Sequence, residues 1–259
     1  MSATDTLSTN RIVKMKVYIQ ADSNGLPYNY NFFCAYQGFR EMGIETVMFS
    51  DAEMLKNSSK EDIIVGYVDP VQSRLKDFGI EVQDIDYPDE LQKYLGRKIW
   101  KSRLSQIANF PERWPIFIKP IENKRFTGIV VRGVRDLIGC GLLGEDPIVR
   151  CDSVVNIDAE WRCFVRYGKI LDVRFYKGDW RVHFDPTVIE NVIKDFSSAP
   201  NGYAVDFGVT DDGRTLLIEV NDGYSLGCYG LFYLDYAKLL AARWAQLTNT
   251  VDECAFDVF

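Results

Sequence analysis

The 259-residue sequence has a single histidine, His183, and no Cys-x-x-Cys pair among its six cysteines. A zinc-like cluster is therefore not expected, and neither is catalysis by a Ser, Cys or His nucleophile that needs a second base. No run of about 20 apolar residues could span a bilayer, and no N-terminal run has the apolar core of a signal peptide. Residues 1–90 also lack a Gly-x-Gly-x-x-Gly motif. We predict a cytoplasmic protein that does not bind a membrane.

The composition is 47% hydrophobic and 26% charged, with a formal net charge of -7. These values are typical of a globular protein, and the length allows one large domain or two to three smaller ones. Excess negative charge disfavours nucleic acid as a partner. We therefore expect small ligands, while the sequence leaves the oligomeric state open.

The first part of the chain alternates between strand and helix patterns. Residues 1–11 are polar, and we expect a disordered tail there. Strands are predicted at Val17–Ile19, Thr46–Phe49, Ile63–Val68 and Glu81–Ile85, and helices at Phe32–Met42 and Asp69–Phe78. Apolar strands alternating with helices predict a parallel, Rossmann-like α/β domain over residues 12–96. Asp69 before Pro70 predicts the N-cap of the second helix.

After a predicted helical stretch at Arg97–Ile107, the sequence pattern changes from strands alternating with helices to antiparallel strands. Strict alternation over Glu160–Arg166 and Ile170–Lys177 predicts two antiparallel strands. A turn centred on Gly168 would place Arg162 opposite Arg174, and two facing cations need an anion. The alternative interpretation is surface charge balanced by nearby aspartates.

A second hairpin carries the strongest chemical signal. Its strands, Ala204–Val209 and Leu216–Asn221, are joined by a segment that contains Asp212-Gly213, a pair typical of a two-residue type I′ turn. That turn places Asp206 opposite Glu219, with Asn221 on the same face. Opposed carboxylates call for a cation or a shared proton, and two carboxylates with an amide oxygen suit Mg²⁺. The alternative is an ordinary solvated hairpin.

Taken together, these motifs resemble the ATP-grasp superfamily of ATP-dependent ligases over residues 97–230. The resemblance implies that Asp206, Glu219 and Asn221 hold Mg²⁺ on ATP. It implies an α+β fold of two lobes, each with an antiparallel sheet and helices, at 97–150 and 151–259. The α/β region at 12–96 would be the pre-ATP-grasp domain.

The resemblance also implies a set of nucleotide contacts. The lysine in Phe117-Ile118-Lys119-Pro120 is similar to the family's phosphate-binding lysine, and Glu160 is similar to its ribose-binding glutamate. The loop 122–128 has Lys-Arg-Phe-Thr-Gly where many members have consecutive glycines, so side chains would contact the phosphates. The implied cofactor-binding residues are Lys98 (or Lys101), Lys119, Lys124, Arg125, Thr127 and Glu160, with Arg150 and Cys151 in a hinge whose backbone holds adenine.

Arg162, Arg174 and Lys177 resemble the residues of the ATP-grasp clade named for two arginines and a lysine. That resemblance implies a carboxylate-amine ligase that forms an amide through an acylphosphate and releases ADP and phosphate. These three residues would be catalytic, and the substrates would be small-molecule or peptide acids and amines. The alternatives are kinase-like phosphoryl transfer and a nucleotide-binding module without turnover.

Overall fold

The computed structural model describes residues 15–121, 126–141 and 145–256. The strands are β1 (Lys16–Gln20), β2 (Glu45–Phe49), β3 (Ile63–Val65), β4 (Ile99–Arg103), β5 (Ile116–Pro120), β6 (Ile129–Val131), β7 (Ile148–Ser153), β8 (Ile157–Arg166), β9 (Lys169–Gly178), β10 (Gly202–Thr210) and β11 (Thr215–Asp222). The α-helices are α1 (Tyr30–Glu41), α2 (Val68–Asp77), α3 (Leu104–Asn109), α4 (Pro186–Asp195) and α5 (Tyr233–Thr248). The strands form three sheets within the described residues.

The first sheet is parallel, with strand order β2-β1-β3. The predicted strand at 81–85 is wrong, because residues 80–85 form no strand. Ile80 and Val82 pack against the core of this sheet, whereas Ile85 packs against a different core that lies under β10 and β11. The segment therefore passes from one core to the other instead of joining a sheet.

Strand β3 and helix α2 also begin and end differently from the prediction. The strand stops at Val65, and the helix starts at Val68, so Asp69 is not its N-cap. The backbone N–H of Tyr67 donates to Gln20 Oε1 at 2.8 Å. The N–H of Tyr67 thus binds a side chain where a strand residue would bind the backbone of a neighbouring strand. β3 therefore ends before Val68, its predicted last residue.

The second sheet is antiparallel, with order β4-β7-β5-β6. The helix predicted over 97–107 is wrong for its first part, because Ile99–Arg103 forms β4 and only Leu104 onward is helical. β4 pairs with β7 along its whole length. This pairing between distant residues overrides the local helix preference of the segment.

The third sheet has order β11-β10-β8-β9, and all of its pairs are antiparallel. The predicted pairing of Asp206 with Glu219 is confirmed, but the predicted two-residue turn is wrong. Thr210 N–H donates to Arg214 at 2.9 Å, which leaves a three-residue loop that ends in Gly213 at φ +81°. A bulge after Asp206 restores the register that the longer loop shifts.

Helix α5 packs across α1 at Gly38. A Cβ atom at that position would lie 2.3 Å from the carbonyl oxygen of Tyr233 and 2.7 Å from the Cβ atom of Ala237. Only glycine allows the two helix backbones to approach this closely. None of the described helices is long and apolar enough to cross a membrane.

The contact at Gly38 leads to a stability prediction. Gly38→Val is expected to lower the free energy of unfolding by about 2 kcal/mol or more, because overpacking must push the two helices apart. Gly133→Ala is the control, since Gly133 has an extended backbone and nothing within 4 Å of an added Cβ. Urea unfolding followed by circular dichroism measures both, and equal midpoints would contradict the prediction.

Candidate functional site

Four charged side chains form a row across the third sheet. Glu219, Asp206, Arg162 and Arg174 pair in direct register on β11, β10, β8 and β9. Directly paired residues share one face of a sheet. The predicted pairing of Arg162 with Arg174 is therefore confirmed, and two anions continue the same row.

The centre of the row is a buried ion pair. Arg162 donates to Asp206 through Nε to Oδ1 and through Nη2 to Oδ2, both at 2.7 Å. The exposed fractions of the two side chains are 7% and 2%. Burial raises the pKa of the Asp206 carboxyl, and the charge of Glu219 acts in the same direction, while Arg162 opposes both. The anion that Arg162 needs is thus supplied within the protein.

Glu219 connects the third sheet to the second. Lys119 Nζ donates to Glu219 Oε2 at 2.6 Å, and Lys119 lies on β5. Burial alone would raise the pKa of Glu219, but Lys119 and Arg162 bring it below its ordinary value. Asn221 lies two residues along β11, and its Nδ2 donates to Asp206 Oδ2 at 3.2 Å. The three predicted metal ligands are therefore adjacent.

A row of cations faces them from the second sheet. Lys101 on β4 and Lys119 on β5 both pair with Arg150 on β7, so the three side chains share a face. Lys98 precedes β4 and lies outside this register. Cys151 belongs to the opposite, buried face, where burial raises the pKa of its thiol to about 12. Its side chain is thus neither a ligand between the two sheets nor a nucleophile.

Arg150 is held by a segment that precedes the strands of the second and third sheets. Its Nη1 donates to Asp86 Oδ2 at 2.9 Å, and its guanidinium lies 4.4 Å from the ring centroid of Tyr87. Asp86 Oδ1 accepts from the backbone N–H of Val220 at 2.8 Å. Burial raises the pKa of Asp86 to about 6, despite the opposing effects of the Val220 N–H and of Arg150. The sequence offered no sign of this role, because nothing in the residues around Asp86 matches a motif.

Glu160 and Lys177 lie one row further along the third sheet. Lys177 Nζ donates to Glu160 Oε1 at 2.5 Å, and the hydroxyl of Tyr176 donates to Glu160 Oε2 at 2.7 Å. Burial raises the pKa of Tyr176 well above its ordinary value. This phenol therefore stays protonated, and it fixes the orientation of the glutamate.

A tight turn after β11 contacts both arginines. Leu231 N–H donates to the carbonyl of Cys228 at 2.8 Å, and the two residues between them, Tyr229 and Gly230, have φ of +42° and +81°. The Tyr229 ring centroid lies 4.5 Å from the Arg162 guanidinium, and Arg174 Nη2 donates to the Gly230 carbonyl at 2.6 Å. Positive φ is strained for tyrosine, and such strain concentrates at functional sites.

The donor set fits magnesium better than a softer metal. Asp206, Glu219 and Asn221 present carboxylate and amide oxygens, the ligands that Mg²⁺ takes. Among the described residues, no group of three His, Cys, Asp or Glu side chains is placed to hold a metal. A three-ligand magnesium site here therefore needs the amide oxygen of Asn221 in addition to the two carboxylates. Both Asp206 oxygens already accept from Arg162, which leaves Glu219 as the more available carboxylate.

The loop 122–128, whose side chains were predicted to contact the phosphates, is only partly described. Lys124 and Arg125 lie outside the described residues, while Thr127 is exposed just before β6. The candidate residues that the structure brings to the facing sheets are Lys101, Lys119, Arg150, Glu160, Arg162, Arg174, Lys177, Asp206, Glu219 and Asn221.

One family model matches the chain. It describes family 2 of the ATP-grasp domains in the clade named for two arginines and a lysine, and it covers residues 94–239, more than half of the chain. No curated protein sequence matches. The sequence resemblance to ATP-grasp proteins and to this clade is confirmed.

Several solved structures share the fold. D-alanine--D-alanine ligase from Bacillus anthracis, complexed with ATP, has a TM-score of 0.54 and 13% identity over 91% of this chain and 98% of that one. D-cycloserine synthetase DcsG has a TM-score of 0.55 and 13% identity over 88% and 99%. Macrocyclase MdnC from Microcystis aeruginosa MRC, bound with precursor peptide MdnA, has a TM-score of 0.53 and 16% identity over 87% and 99%. At these identities the likeness shows the fold alone.

Proposed function

The chain belongs to family 2 of the ATP-grasp clade named for two arginines and a lysine, and on that premise we propose that it is an ATP-dependent carboxylate-amine ligase. One observation carries the proposal. The cation row of the second sheet meets the charged row of the third sheet through the Lys119–Glu219 contact of 2.6 Å. Such an arrangement can bind a triphosphate and its metal between the two sheets.

The fold relatives support an amide-forming reaction. Two of them are named as a ligase and a synthetase, and a third binds a precursor peptide. We propose a small-molecule or peptide acid and an amine as the substrates of this chain, in a cytoplasmic setting. Residues 12–96 would form the Rossmann-like pre-ATP-grasp domain, and the lobes would be 97–150 and 151–259.

In the proposed reaction the substrate carboxylate attacks the γ-phosphorus of ATP, and ADP leaves with the electrons of the broken P–O bond. An amine then attacks the acyl carbon, the C–O bond to phosphate breaks, and the amine loses a proton. Phosphoryl transfer depends mainly on positioning and charge neutralisation. Mg²⁺ held by Asp206, Glu219 and Asn221 would supply part of that neutralisation.

The chain's own residues have separate tasks in this scheme. Lys119 would bind the phosphates and, with Lys101, neutralise their charge. Glu160 would orient the ribose hydroxyls, held in place by Tyr176 and Lys177. Arg174, whose side chain is 43% exposed, would bind the acid substrate or its acylphosphate. The buried Arg162 would act on the same site through Asp206.

Calorimetric titration of ATP into the purified chain, with and without Mg²⁺, tests this function. Binding that requires Mg²⁺ supports the nucleotide site, and it justifies a screen of acids and amines for ADP release. Mass spectrometry of the products then separates an amide from a phosphoester. The absence of ATP binding under both conditions would remove the proposal.

The strand register leads to a prediction for the additional nucleotide lysine. Lys101→Ala is expected to weaken ATP binding about tenfold, because Lys101 shares a row with Arg150 and Lys119. Lys98→Ala, the matched control, is expected to bind ATP like the wild type. Calorimetry compares the two variants, and a loss confined to Lys98→Ala would move the role to that residue.

Arg174 is expected to act on the acid substrate rather than on ATP. We predict that Arg174→Ala lowers turnover at saturating ATP about a hundredfold, since a cation on the reacting group is lost. Its MgATP affinity should stay near the wild-type value. Arg181→Ala removes an exposed arginine from the loop after β9 and serves as control. Weaker ATP binding with unchanged turnover at saturating ATP would contradict the assignment.

A further inference from the structure

The strand that carries two of the three predicted metal ligands, Glu219 and Asn221, is an edge strand, and two side chains bind its open edge. β11 is the outermost strand of the third sheet. Arg97 donates to the carbonyls of Leu217 and Ile218 at 2.7 and 2.8 Å. Asp86 accepts from the N–H of Val220 at 2.8 Å. These three backbone groups of β11 are therefore bound by side chains instead of a neighbouring strand.

The same two side chains also bind β7 in the second sheet. Arg97 Nε donates to Asp152 Oδ2 at 2.9 Å, and Asp86 Oδ2 accepts from Arg150 at 2.9 Å. Asp86 and Arg97 therefore each link β11 to β7. We call Asp86, Tyr87, Arg97, Arg150 and Asp152 the inter-lobe cluster.

Tyr87 fills the space between the two arginines of the cluster. Its backbone has φ of +56°, and its ring centroid lies 4.4 Å from the Arg150 guanidinium and 5.9 Å from that of Arg97. Arg97 Nη2 also donates to the Tyr87 hydroxyl at 3.5 Å. A left-handed tyrosine is costly, and it persists only where the surrounding contacts impose it.

The burial of the cluster argues against a role in stability alone. The side chains of Arg97, Asp152, Asp86 and Arg150 are between 6% and 13% exposed. Buried ion pairs lose hydration, and they often stabilise a fold no better than apolar residues of similar size. Asp86 keeps a raised pKa even with Arg150 beside it. The lost hydration of these buried charges is explained if their role is to fix the position of β11 relative to β7.

We propose that Asp86 and Arg97 are positioning residues that set the distance between the metal-ligand strand and the cation row. The Val220 N–H that Asp86 binds lies between Glu219 and Asn221, and the arginine that Asp86 binds lies beside Lys119. The proposal rests on the ATP-dependent function proposed above. Asp86 precedes the residues matched by the family model, whereas Arg97 lies near the start of them.

The test compares Asp86→Ala and Asp86→Asn with Asp84→Asn. Asp84 is 72% exposed and lies 3.9 Å from Arg150, and its Oδ1 accepts from the backbone N–H of Asp86 at 3.0 Å. An asparagine keeps an oxygen acceptor for that N–H, so Asp84→Asn removes one charge from the same segment and retains the backbone contact. MgATP affinity is measured by calorimetry. Amide hydrogen exchange over residues 217–221 is measured without ligand. The unfolding midpoint of each variant identifies any loss of folding.

We expect Asp86→Ala to raise the Kd for MgATP about tenfold and to speed exchange in β11, while Asp84→Asn changes neither. Asp86→Asn keeps an acceptor for the Val220 N–H, so it should weaken MgATP binding with little change in exchange. If Asp86→Ala does not fold, Asp86→Asn alone decides by its Kd. Wild-type affinity in a folded Asp86 variant would overturn the proposal.

The two proposals can fail separately. A wild-type chain that does not bind MgATP would remove the proposed function, whereas hydrogen exchange in the unliganded variants would still test the link between β7 and β11. Conversely, the wild-type chain could bind MgATP as proposed. Unchanged hydrogen exchange in β11 of Asp86→Ala would then still refute the link between β7 and β11.

Discussion

Glu219→Gln is expected to weaken MgATP binding about a hundredfold, which corresponds to about 2.8 kcal/mol. The glutamine has the same shape but no charge, so it loses the ion pair with Lys119 and offers a metal a poorer ligand. The pKa of Glu219 lies below its ordinary value, so the wild-type residue is ionised at neutral pH. The substitution therefore removes a full charge from the centre of the site.

The metal dependence of ATP binding makes this result specific. In the wild type, Mg²⁺ should strengthen ATP binding strongly, and in Glu219→Gln that difference should nearly vanish. Glu190→Gln, which changes an exposed glutamate on α4, is the control and should retain the full effect. Wild-type Mg²⁺ dependence in a folded Glu219→Gln variant would exclude the metal assignment.

Arg162→Met is expected to lower the free energy of unfolding by about 3 to 5 kcal/mol, because it leaves Asp206 as a buried charge without its partner. Two hydrogen bonds of 2.7 Å are lost together. Methionine fills much of the same space, so most of the effect is electrostatic. Chemical denaturation at neutral pH measures the change.

A double variant and the pH dependence separate charge from packing. Arg162→Met with Asp206→Leu removes both charges, and it should recover most of the stability without recovering MgATP binding. In the single variant, burial without Arg162 raises the pKa of Asp206 further above its ordinary value of 3.8. The folded state then takes up a proton more readily than the unfolded chain, so the destabilisation should shrink as the pH falls from 7 towards 4. If the destabilisation of Arg162→Met does not depend on pH, altered packing rather than the unpaired charge would be its cause.

The hairpin shows both the strength and the limit of sequence analysis. Alternating residues and an Asp-Gly turn predicted the pairing of Asp206 with Glu219, and that pairing is present. The pairing is correct although the turn is wrong, because the longer loop and the bulge after Asp206 shift the register in opposite directions. A one-residue bulge leaves no clear pattern in a single sequence.

Features that depend on distant partners were not predictable. Ile99–Arg103 resembles a helix locally and becomes a strand because β7 lies beside it. The contacts of Asp86 join three parts of the chain that are far apart in sequence. Local patterns thus indicate the facing charged residues, but not the segment that holds the two sheets together.

The packing of α5 has a consequence for synthesis on the ribosome. The core of the first sheet includes Val17 and Ile64 from the start of the chain and Leu240 and Trp244 from α5. Trp244 Nε1 also donates to the carbonyl of Lys60 at 2.9 Å. At about 5 to 20 residues per second, the ribosome needs roughly 10 seconds or more to travel from β3 to α5. During that time we expect the nascent sheet to expose apolar surface that α5 later covers, and chaperones bind exposed surface of this kind.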